Sequence, residues 1–190
     1  MSSDLTAKLS RIKLLVTDVD GTLTEGSMIF LGGGQVKLFH VHDGLGIRLA
    51  RNFGLDVAIV TGNTSQAVTE RAATLGLERV YQGIRHKSAI IAQMASETGL
   101  SRDEIAYIGD DLNDLPAFEV VGFRIAVADA VEEIRNRADM VTVRRGGKGA
   151  VREAIEAILK SRGQWDDAVQ SFLVELERED AGKPAPEAVA

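Results

Sequence analysis

The chain has 190 residues, no cysteine, a formal net charge of −6 and an isoelectric point near 5.1. This length suits one α/β domain with a full core, and the absence of cysteine excludes disulfides and thiolate metal sites. The acidic balance argues against a generic surface for polyanions. Because no signal-peptide pattern and no apolar run of membrane-spanning length is seen, we expect a cytoplasmic protein that binds neither nucleic acid nor membrane.

The first predicted strand ends in two acidic residues. An apolar, β-branched run at 12–16 is typical of a central strand, and Gly21 marks the turn after it. Asp18 and Asp20 are two residues apart, so their side chains point the same way at the edge of a parallel sheet where ligands bind. The pattern indicates a nucleophile, Asp18, and a proton donor and acceptor, Asp20. A plain turn is the alternative, whereas a calcium loop would need further oxygen ligands that the sequence lacks.

A β-hairpin is predicted next, at about 27–39, from two short apolar runs around three consecutive glycines. It interrupts the usual connection from strand to helix and would overhang the edge that carries the two aspartates. We expect its outward side chains, Met28, Phe30, Leu38 and Phe39, to form an apolar patch. Patches of this kind usually mark an interface between proteins.

Helices and strands alternate through the rest of the chain. Helices are predicted at about 43–52, 65–75, 86–98, 131–137, 150–159 and 165–178, and strands at 55–60, 79–82, 105–109, 124–127 and 140–143. This order predicts an α/β fold with a doubly wound, mostly parallel sheet of the Rossmann type.

Three more segments carry groups suited to an anion or a cation. Thr61 and Gly62 follow a strand and precede a helix, where backbone N–H groups and the helix dipole favour an anion. Lys87 lies in the first turn of a helix, against the dipole, and so indicates an anionic partner; a solvated surface lysine is the alternative. Asp110 and Asp111 follow a later strand.

The strand ends should meet at one edge of the sheet, which would crowd the carboxylates of Asp18, Asp20, Asp110 and Asp111. Like charges at close range are costly unless a cation compensates them or one of them takes up a proton. Oxygen ligands without cysteine or a well-placed histidine favour Mg²⁺ over Zn²⁺. Because Mg²⁺ commonly bridges carboxylates to phosphate groups, the pattern predicts a phosphate-handling enzyme.

Taken together, these segments resemble four motifs of the haloacid dehalogenase-like (HAD) phosphatases. The matching segments, in motif order, are 18–22, 61–62, Lys87 and 109–114. The first interval between motifs holds only the hairpin and the second is short, so no large cap domain is expected and the chain resembles the capless subclass. Within that subclass it is similar to the KDO 8-phosphate phosphatase family (KDO is 3-deoxy-D-manno-octulosonate), through segments 23–26, 39–47, 81–83 and 146–153.

The resemblance implies a role for each matched position. Asp18 would attack phosphorus to form an aspartyl-phosphate, and Asp20 would protonate the leaving oxygen and later activate water. Mg²⁺ would be held by Asp18, the backbone carbonyl of Asp20, and Asp110. Thr61 and Lys87 would balance the charge of the transferring phosphoryl group.

Two further groups of residues follow from the same resemblance. Residues that would orient the metal ligands are Asp111, Asn113 and Asp114. Residues that would contact phosphate or the sugar acid are Gly62, Asn63, His42, Lys148 and Arg152. The resemblance also implies a sugar-phosphate substrate, a place in lipopolysaccharide biosynthesis, and a homotetramer packed through the hairpins. It further implies that the C-terminal segment of one subunit reaches the site of an adjacent subunit. Arg144 and Arg145 could help bind a carboxylate there.

Two positions depart from the pattern of that family and leave the sugar open. His42 stands where the family usually has lysine or arginine, and Asn63 where it usually has arginine. One alternative is a phosphatase for a nine-carbon, sialic-type sugar phosphate such as KDN 9-phosphate. A phosphotransferase or mutase, and a non-catalytic domain of the type associated with cytidylyltransferases, are further alternatives. The intact catalytic positions favour an enzyme.

We predict three segments along the chain. Residues 1–162 would form the phosphatase domain, including the hairpin. Residues 163–179 would form a C-terminal helical extension without an assigned function. Residues 180–190, rich in Ala, Pro and charged residues, would form a disordered tail.

Overall fold

The computed structural model describes residues 3–32 and 34–180. The strands are β1 (Leu14–Thr17), β2 (Ile29–Leu31), β3 (Gly34–Val36), β4 (Asp56–Val60), β5 (Val80–Tyr81), β6 (Ile105–Gly109), β7 (Phe123–Ala126) and β8 (Met140–Val141). The helices are α1 (Ser3–Leu9), α2 (Val41–Asn52), α3 (Gln66–Thr74), α4 (Lys87–Thr98), α5 (Leu115–Phe118), α6 (Glu132–Arg135), α7 (Ala150–Ser161) and α8 (Trp165–Asp180). Short 3₁₀ turns cover Arg102–Glu104 and Leu112–Asp114.

Within these residues, six strands form one parallel sheet in the order β5-β4-β1-β6-β7-β8. β1 lies near the centre, and its last residue, Thr17, is in register with Ile59 of β4 and Ile108 of β6. β1 and β6 are buried throughout because helices cover both faces of the sheet, which explains their continuous apolar sequence. The α/β, doubly wound fold is therefore confirmed, and the chain segments after β1, β4 and β6 leave the sheet side by side.

The hairpin forms a separate two-stranded sheet from β2 and β3. Its apolar side chains are largely in solvent: Phe30 is 69% exposed and Leu31 is 72% exposed. Phe39 differs from the expectation, because it packs against the core and lies under the guanidinium of Arg71, 6.0 Å from the ring centre. The apolar patch thus consists of residues on β2 and β3 and beside them, without Phe39.

Several boundaries differ from the sequence expectation. The short helices α1 and α5 were not predicted, because each is shorter than the pattern that marks an amphipathic helix. α8 ends at Asp180, two residues beyond the predicted end, and the rest of the predicted disordered tail, 181–190, lies outside the described residues. None of the described helices is both long and apolar enough to cross a membrane.

A glycine-rich loop before α7 packs against the turn after β1. A Cβ added at Gly146 would lie 1.7 Å from the carbonyl oxygen of Gly21, so only glycine permits this approach. α7 begins after Gly149 without a capping side chain of its own. The buried Asp43 of α2 supplies the missing acceptor, since its Oδ1 accepts a hydrogen bond of 2.7 Å from the backbone N–H of Arg152. α2 therefore anchors the start of α7, directly after the loop that covers the Gly21 turn.

Candidate active site

A cleft of about 340 Å³ opens at the C-terminal edge of the sheet. Its lining residues come from the ends of β1, β4 and β6 and from the base of the hairpin: Asp18, Asp20, Gly26, Met28, Thr61, Gly62, Asn63, Asp110, Asp111 and Asn113. Ligands bind at this edge in open α/β sheets because the loops there diverge. The structure thus brings the predicted strand-end groups together.

A larger hollow of about 800 Å³ lies at the opposite edge of the sheet, but its charges are already compensated. Lys13 pairs with Glu104 at 2.6 Å, and Arg162 donates to the backbone carbonyls of Phe53 and Gly54. No buried acid or base converges on this hollow among the residues described. The chemistry therefore belongs to the smaller cleft.

Asp18 is the most deeply buried carboxylate that faces the cleft, at 3% exposure. Its backbone N–H continues the sheet by donating to the carbonyl of Ile108. Its Oδ1 forms an ion pair with the Nζ of Lys87 at 2.9 Å and has no further donor among the described residues. Burial and the charge of Asp114 raise the pKa of Asp18 to about 6, although Lys87 opposes the rise.

Behind Asp18 lies a buried network that joins Lys87, Tyr107 and Asp114, none of which is exposed. Lys87 donates to Asp114 Oδ1 at 2.5 Å and to the Tyr107 hydroxyl at 3.0 Å, and that hydroxyl donates to the same oxygen at 2.6 Å. Burial by itself would lower the pKa of Lys87, but the charges of Asp114 and Asp18 outweigh burial and raise it. Lys87 is therefore a buried cation, and the alternative of a solvated surface lysine is wrong.

Asp110 stands opposite Asp18 across the cleft floor. The hydroxyl of Thr22 donates to its Oδ1 at 3.1 Å, and a Cβ at Gly21 would lie only 2.0 Å from its Oδ2. Gly21 has a φ of +94°, which favours glycine, and the nearby carboxyl group of Asp110 leaves no room for a Cβ. Both features require glycine at position 21. Burial, followed by the charges of Asp114 and Asp18, raises the pKa of Asp110 to about 8. The carboxylates at this point repel one another strongly.

The donor set fits a hard divalent cation. Oxygen atoms of Asp18, Asp110 and Asp114 lie within 4.8 Å of one another, and within the described part of the chain the buried Asp18 Oδ1 has only the ion pair with Lys87. Asp114 is already engaged, because its Oδ1 accepts from Lys87 and Tyr107 and its Oδ2 accepts from the backbone N–H of Asp110 at 2.8 Å. A cation would therefore use Asp18 and Asp110, while Asp114 fixes the loop that carries Asp110.

Asp20 is held from the other side of the cleft. Its Oδ1 pairs with the ammonium of Lys37, which follows β3, and its Oδ2 accepts a longer hydrogen bond of 3.4 Å from Asn63 Nδ2. Asn63 also donates to Gln35 Oε1 at 3.0 Å. The hairpin is thus tied to Asp20 both directly and through Asn63.

Thr61 and Gly62 form the cleft wall that precedes α3. Thr61 is buried, and its Oγ1 accepts a hydrogen bond of 3.3 Å from the backbone N–H of Asn63. α3 begins at Gln66 after Ser65, which makes no side-chain capping bond. Backbone N–H groups at this helix start are suited to phosphate oxygens.

Comparison with known proteins agrees with this arrangement. A family model described as haloacid dehalogenase-like hydrolase matches residues 82–155. The 3-deoxy-D-manno-octulosonate 8-phosphate phosphatase KdsC of Escherichia coli K12 is 42% identical over 170 residues, which cover 88% of this chain and 90% of the relative. The chain belongs to the KDO 8-phosphate phosphatase family of HAD-like hydrolases.

Solved structures of the family share the fold. The Moraxella catarrhalis KDO 8-phosphate phosphatase, in complex with a magnesium ion, a phosphate ion and a KDO molecule, has a TM-score of 0.87 and 38% identity, covering 90% of this chain and 99% of that one. The cobalt-bound Haemophilus influenzae enzyme has a TM-score of 0.83 and 40% identity, covering 87% and 99%. These matches confirm the resemblance and the HAD fold.

Three residues predicted to contact substrate lie outside the cleft in the single chain. His42 is exposed, with Nδ1 3.5 Å from Arg144 Nη1, and Lys148 pairs with Glu25 at 2.5 Å. The guanidinium of Arg152 lies 4.7 Å from the ring centre of Trp165 and pairs with Glu156. Here α8 supplies the packing partner, so the structure does not bring Arg152 to the cleft.

Lys37, Tyr107 and Thr22 reach the site although the sequence reasoning gave them no role there. Lys37 alternates with Gln35 along an extended segment, a spacing that puts both side chains on one side of the chain. Tyr107 carries a polar group inside an otherwise apolar strand, and a buried hydroxyl needs a partner. Thr22 lies within the first family motif.

Proposed function

We propose that this protein is a Mg²⁺-dependent phosphomonoesterase that releases phosphate from an acidic keto-sugar phosphate, KDO 8-phosphate. One observation carries the proposal: the cleft places the two aspartates after β1 beside Thr61 and Asp110, with the buried Lys87 directly behind Asp18. This combination suits attack on phosphorus by a carboxylate with compensation of the phosphate charge. Family membership supports the same reaction, since the relatives are named for it.

The reaction proceeds in two steps. In the first, an Asp18 oxygen attacks phosphorus, the bond from phosphorus to the sugar oxygen breaks, and Asp20 gives that oxygen a proton. In the second, Asp20 takes a proton from water while the water oxygen attacks the aspartyl-phosphate, which frees Asp18 and inorganic phosphate. Thr61 donates to a phosphoryl oxygen, and Lys87 offsets the charge that develops beside Asp18.

Mg²⁺ would be held by Asp18, Asp110 and the backbone carbonyl of Asp20. When bound, the ion supplies positive charge that offsets the phosphate and lets both carboxylates remain ionised. Asp111, Asn113 and Asp114 would orient the metal ligands, and Asp114 supports this role by accepting from the backbone N–H groups of Asp110 and Asp111.

We further propose a homotetramer that packs through the hairpins. The exposed Phe30 and Leu31 support this arrangement, because apolar side chains on a two-stranded hairpin gain from a covering partner. A neighbouring subunit would also exclude water from a cleft over which the described residues form only the hairpin and no cap domain. His42 and Lys148 are available at the surface for a shared sugar-binding region, with Asn63 inside the cleft. A cytoplasmic location stays a prediction from the sequence.

Phosphate release from a panel of esters tests the function. The purified protein, with Mg²⁺, is assayed on KDO 8-phosphate, a nine-carbon KDN 9-phosphate and small generic phosphates. We expect the highest kcat/KM for KDO 8-phosphate. A preference for the nine-carbon ester would transfer the function to that substrate, and His42 and Asn63 would be the first positions to examine. No phosphate release from any ester would support a non-catalytic domain.

A further inference from the structure

The hairpin contributes a buried cation to the cleft. Of the lysines that the structure describes, Lys8, Lys13, Lys148 and Lys160 have side chains that are 49–59% exposed. Lys37 is 4% exposed and Lys87 is fully buried. Both buried lysines pair with an aspartate of the site, Lys87 with Asp18 and Lys37 with Asp20. Burying an ammonium group is costly unless it is paired, so a lysine in this position depends on Asp20.

The local geometry explains how Lys37 reaches Asp20. Gln35 and Lys37 are two residues apart on extended chain, so they point to the same side, toward the cleft. The neighbouring Val36 is exposed and points away. Gln35 accepts a hydrogen bond from Asn63 at 3.0 Å, which fixes this face of the hairpin against the loop after β4. Lys37 is then directed at Asp20 Oδ1.

We propose that Lys37 is a positioning residue for Asp20 in the reaction proposed above. Its ammonium holds Oδ1, which fixes the rotation of the carboxyl group about its last bond. Among the described residues, Oδ2 has only the longer contact of 3.4 Å with Asn63, so Oδ2 is the oxygen that faces the leaving group. The hairpin thereby sets the direction in which Asp20 delivers its proton, in addition to its proposed place in the assembly.

If Lys37 positions Asp20, the loss of activity on replacing Lys37 should depend on the leaving group of the ester. A sugar oxygen leaves as a poor, strongly basic anion unless it receives a proton as the bond to phosphorus breaks. A 4-nitrophenolate leaves readily without one. Misdirection of Asp20 should therefore slow the hydrolysis of alkyl phosphates far more than that of 4-nitrophenyl phosphate. A residue that only stabilises the fold, or only binds phosphate, would affect both kinds of ester equally.

The test measures kcat/KM of the full-length protein with Mg²⁺ for esters ranging from KDO 8-phosphate through simple alkyl phosphates to 4-nitrophenyl phosphate. The ratio kcat/KM includes only the steps up to departure of the leaving group. For Lys37→Met, which keeps the length of the side chain, we expect a loss of about 30-fold on the alkyl esters, part of the 10²–10⁴ typical of proton transfer, and less than about threefold on 4-nitrophenyl phosphate. Lys13→Met, at the far edge of the sheet, serves as the matched control and should match the wild type.

Two additional variants keep the result decisive. Lys37→Arg retains the charge and should recover part of the alkyl activity, and it takes the place of Lys37→Met if that variant unfolds. In an Asp20→Asn background, Lys37→Met should cause no further loss, because the group that it positions has been removed. An equal loss on all esters, or a full extra loss in the Asp20→Asn background, would overturn the role of Lys37. A wild-type protein inactive on every ester would instead overturn the proposed function.

Discussion

Asp18 and Asp20 are two residues apart, yet different parts of the molecule hold them. Asp18 faces Lys87, Asp114 and Tyr107, which belong to α4, the loop after β6, and β6 itself, and all three are buried. The carboxyl group of Asp20 is held by Lys37 beside the hairpin and by Asn63. One aspartate is therefore supported by the core of the domain and the other by an element outside it.

The supports of the two aspartates differ in rigidity. The network behind Asp18 is closed by several hydrogen bonds without access to water, so it can move only if the core opens. The hairpin has two short strands that pair only with each other among the described residues, and such a unit is marginally stable by itself. We infer that the nucleophile is positioned by folding alone, whereas the acid depends on whatever covers the hairpin.

The largest effect should come from the core-held aspartate. Asp18→Asn keeps the shape of the side chain but removes the attacking oxygen anion, so kcat should fall on the order of 10⁴-fold or more, as for other covalent nucleophiles. Phosphate release on KDO 8-phosphate measures the loss, and circular dichroism checks the fold. The variant should be at least as stable as the metal-free wild type at pH 8, because it removes one crowded carboxylate. Retention of a tenth of the wild-type turnover would exclude Asp18 as the nucleophile.

Metal removal should be nearly as severe. Chelation should abolish turnover and Mg²⁺ should restore it, whereas Ca²⁺ should be a poor substitute because its larger, looser coordination sphere misplaces the nucleophile. Phosphate release after exhaustive dialysis against chelator, with each ion added back, measures this dependence. Full activity in the chelated protein would remove the metal from the mechanism.

The affinity for Mg²⁺ should also depend on pH, and the raised pKa values of Asp110 and Asp18 set the direction of this dependence. With pKa values of about 8 for Asp110 and about 6 for Asp18, the metal-free protein at pH 7 carries a proton on Asp110 and little on Asp18. Mg²⁺ needs both groups ionised, so binding at pH 7 should release about one proton, and affinity should fall as pH is lowered from 8 to 6. Calorimetric titrations in buffers with different protonation enthalpies measure the number of protons that Mg²⁺ binding releases. Binding without proton release would contradict these pKa values.

A smaller effect is expected inside the buried network. Tyr107→Phe removes one hydroxyl and leaves Lys87 paired with Asp114 but free to rotate, so kcat should fall about tenfold with KM nearly unchanged, the size expected for one lost hydrogen bond of about 1.4 kcal/mol. Steady-state kinetics measures both values. Tyr81→Phe is a suitable control, since Tyr81 is the other tyrosine and packs on the core at its edge. Equal kinetics in the two variants would deny Tyr107 a positioning role.

The mildest change should come from the outer face of the hairpin. Phe30→Asp places a charge on the apolar patch, so it should dissociate the proposed tetramer and lower turnover of KDO 8-phosphate several-fold, with less effect on a small phosphate. Light scattering reports the mass of the assembly, and phosphate release reports the activity. Leu173→Asp, at an exposed apolar position of α8, is the control. A wild-type protein that is monomeric and fully active would rule out a shared site.

The aspartates of both halves of the site could be predicted from sequence, whereas the contacts of Tyr107 and Lys37 that hold them could not. Buried strands followed by aspartates are recognisable because strand period and length reveal the edge at which Asp18 and Asp110 lie. Lys87 had two interpretations, and only its contacts with Tyr107 of β6 and with Asp114 show that it is buried. Lys37 follows a glycine-rich turn in an exposed-looking segment, so its contact with Asp20 depends on how the hairpin folds over the cleft. The position of the hairpin over the cleft depends on contacts between residues that are distant in sequence, and no local sequence pattern indicates it.

The position of β1 in the sheet also has a consequence for protein synthesis. β1 pairs with β4 on one side and with β6 on the other, and these neighbours lie far apart in the chain. At 5–20 residues per second, a ribosome needs about 2–10 s to extend the chain from the end of β4 to the end of β6. During that interval the nascent chain exposes an apolar strand edge that no later residue has yet covered, and we expect chaperones that shield such edges to act on this protein at that stage.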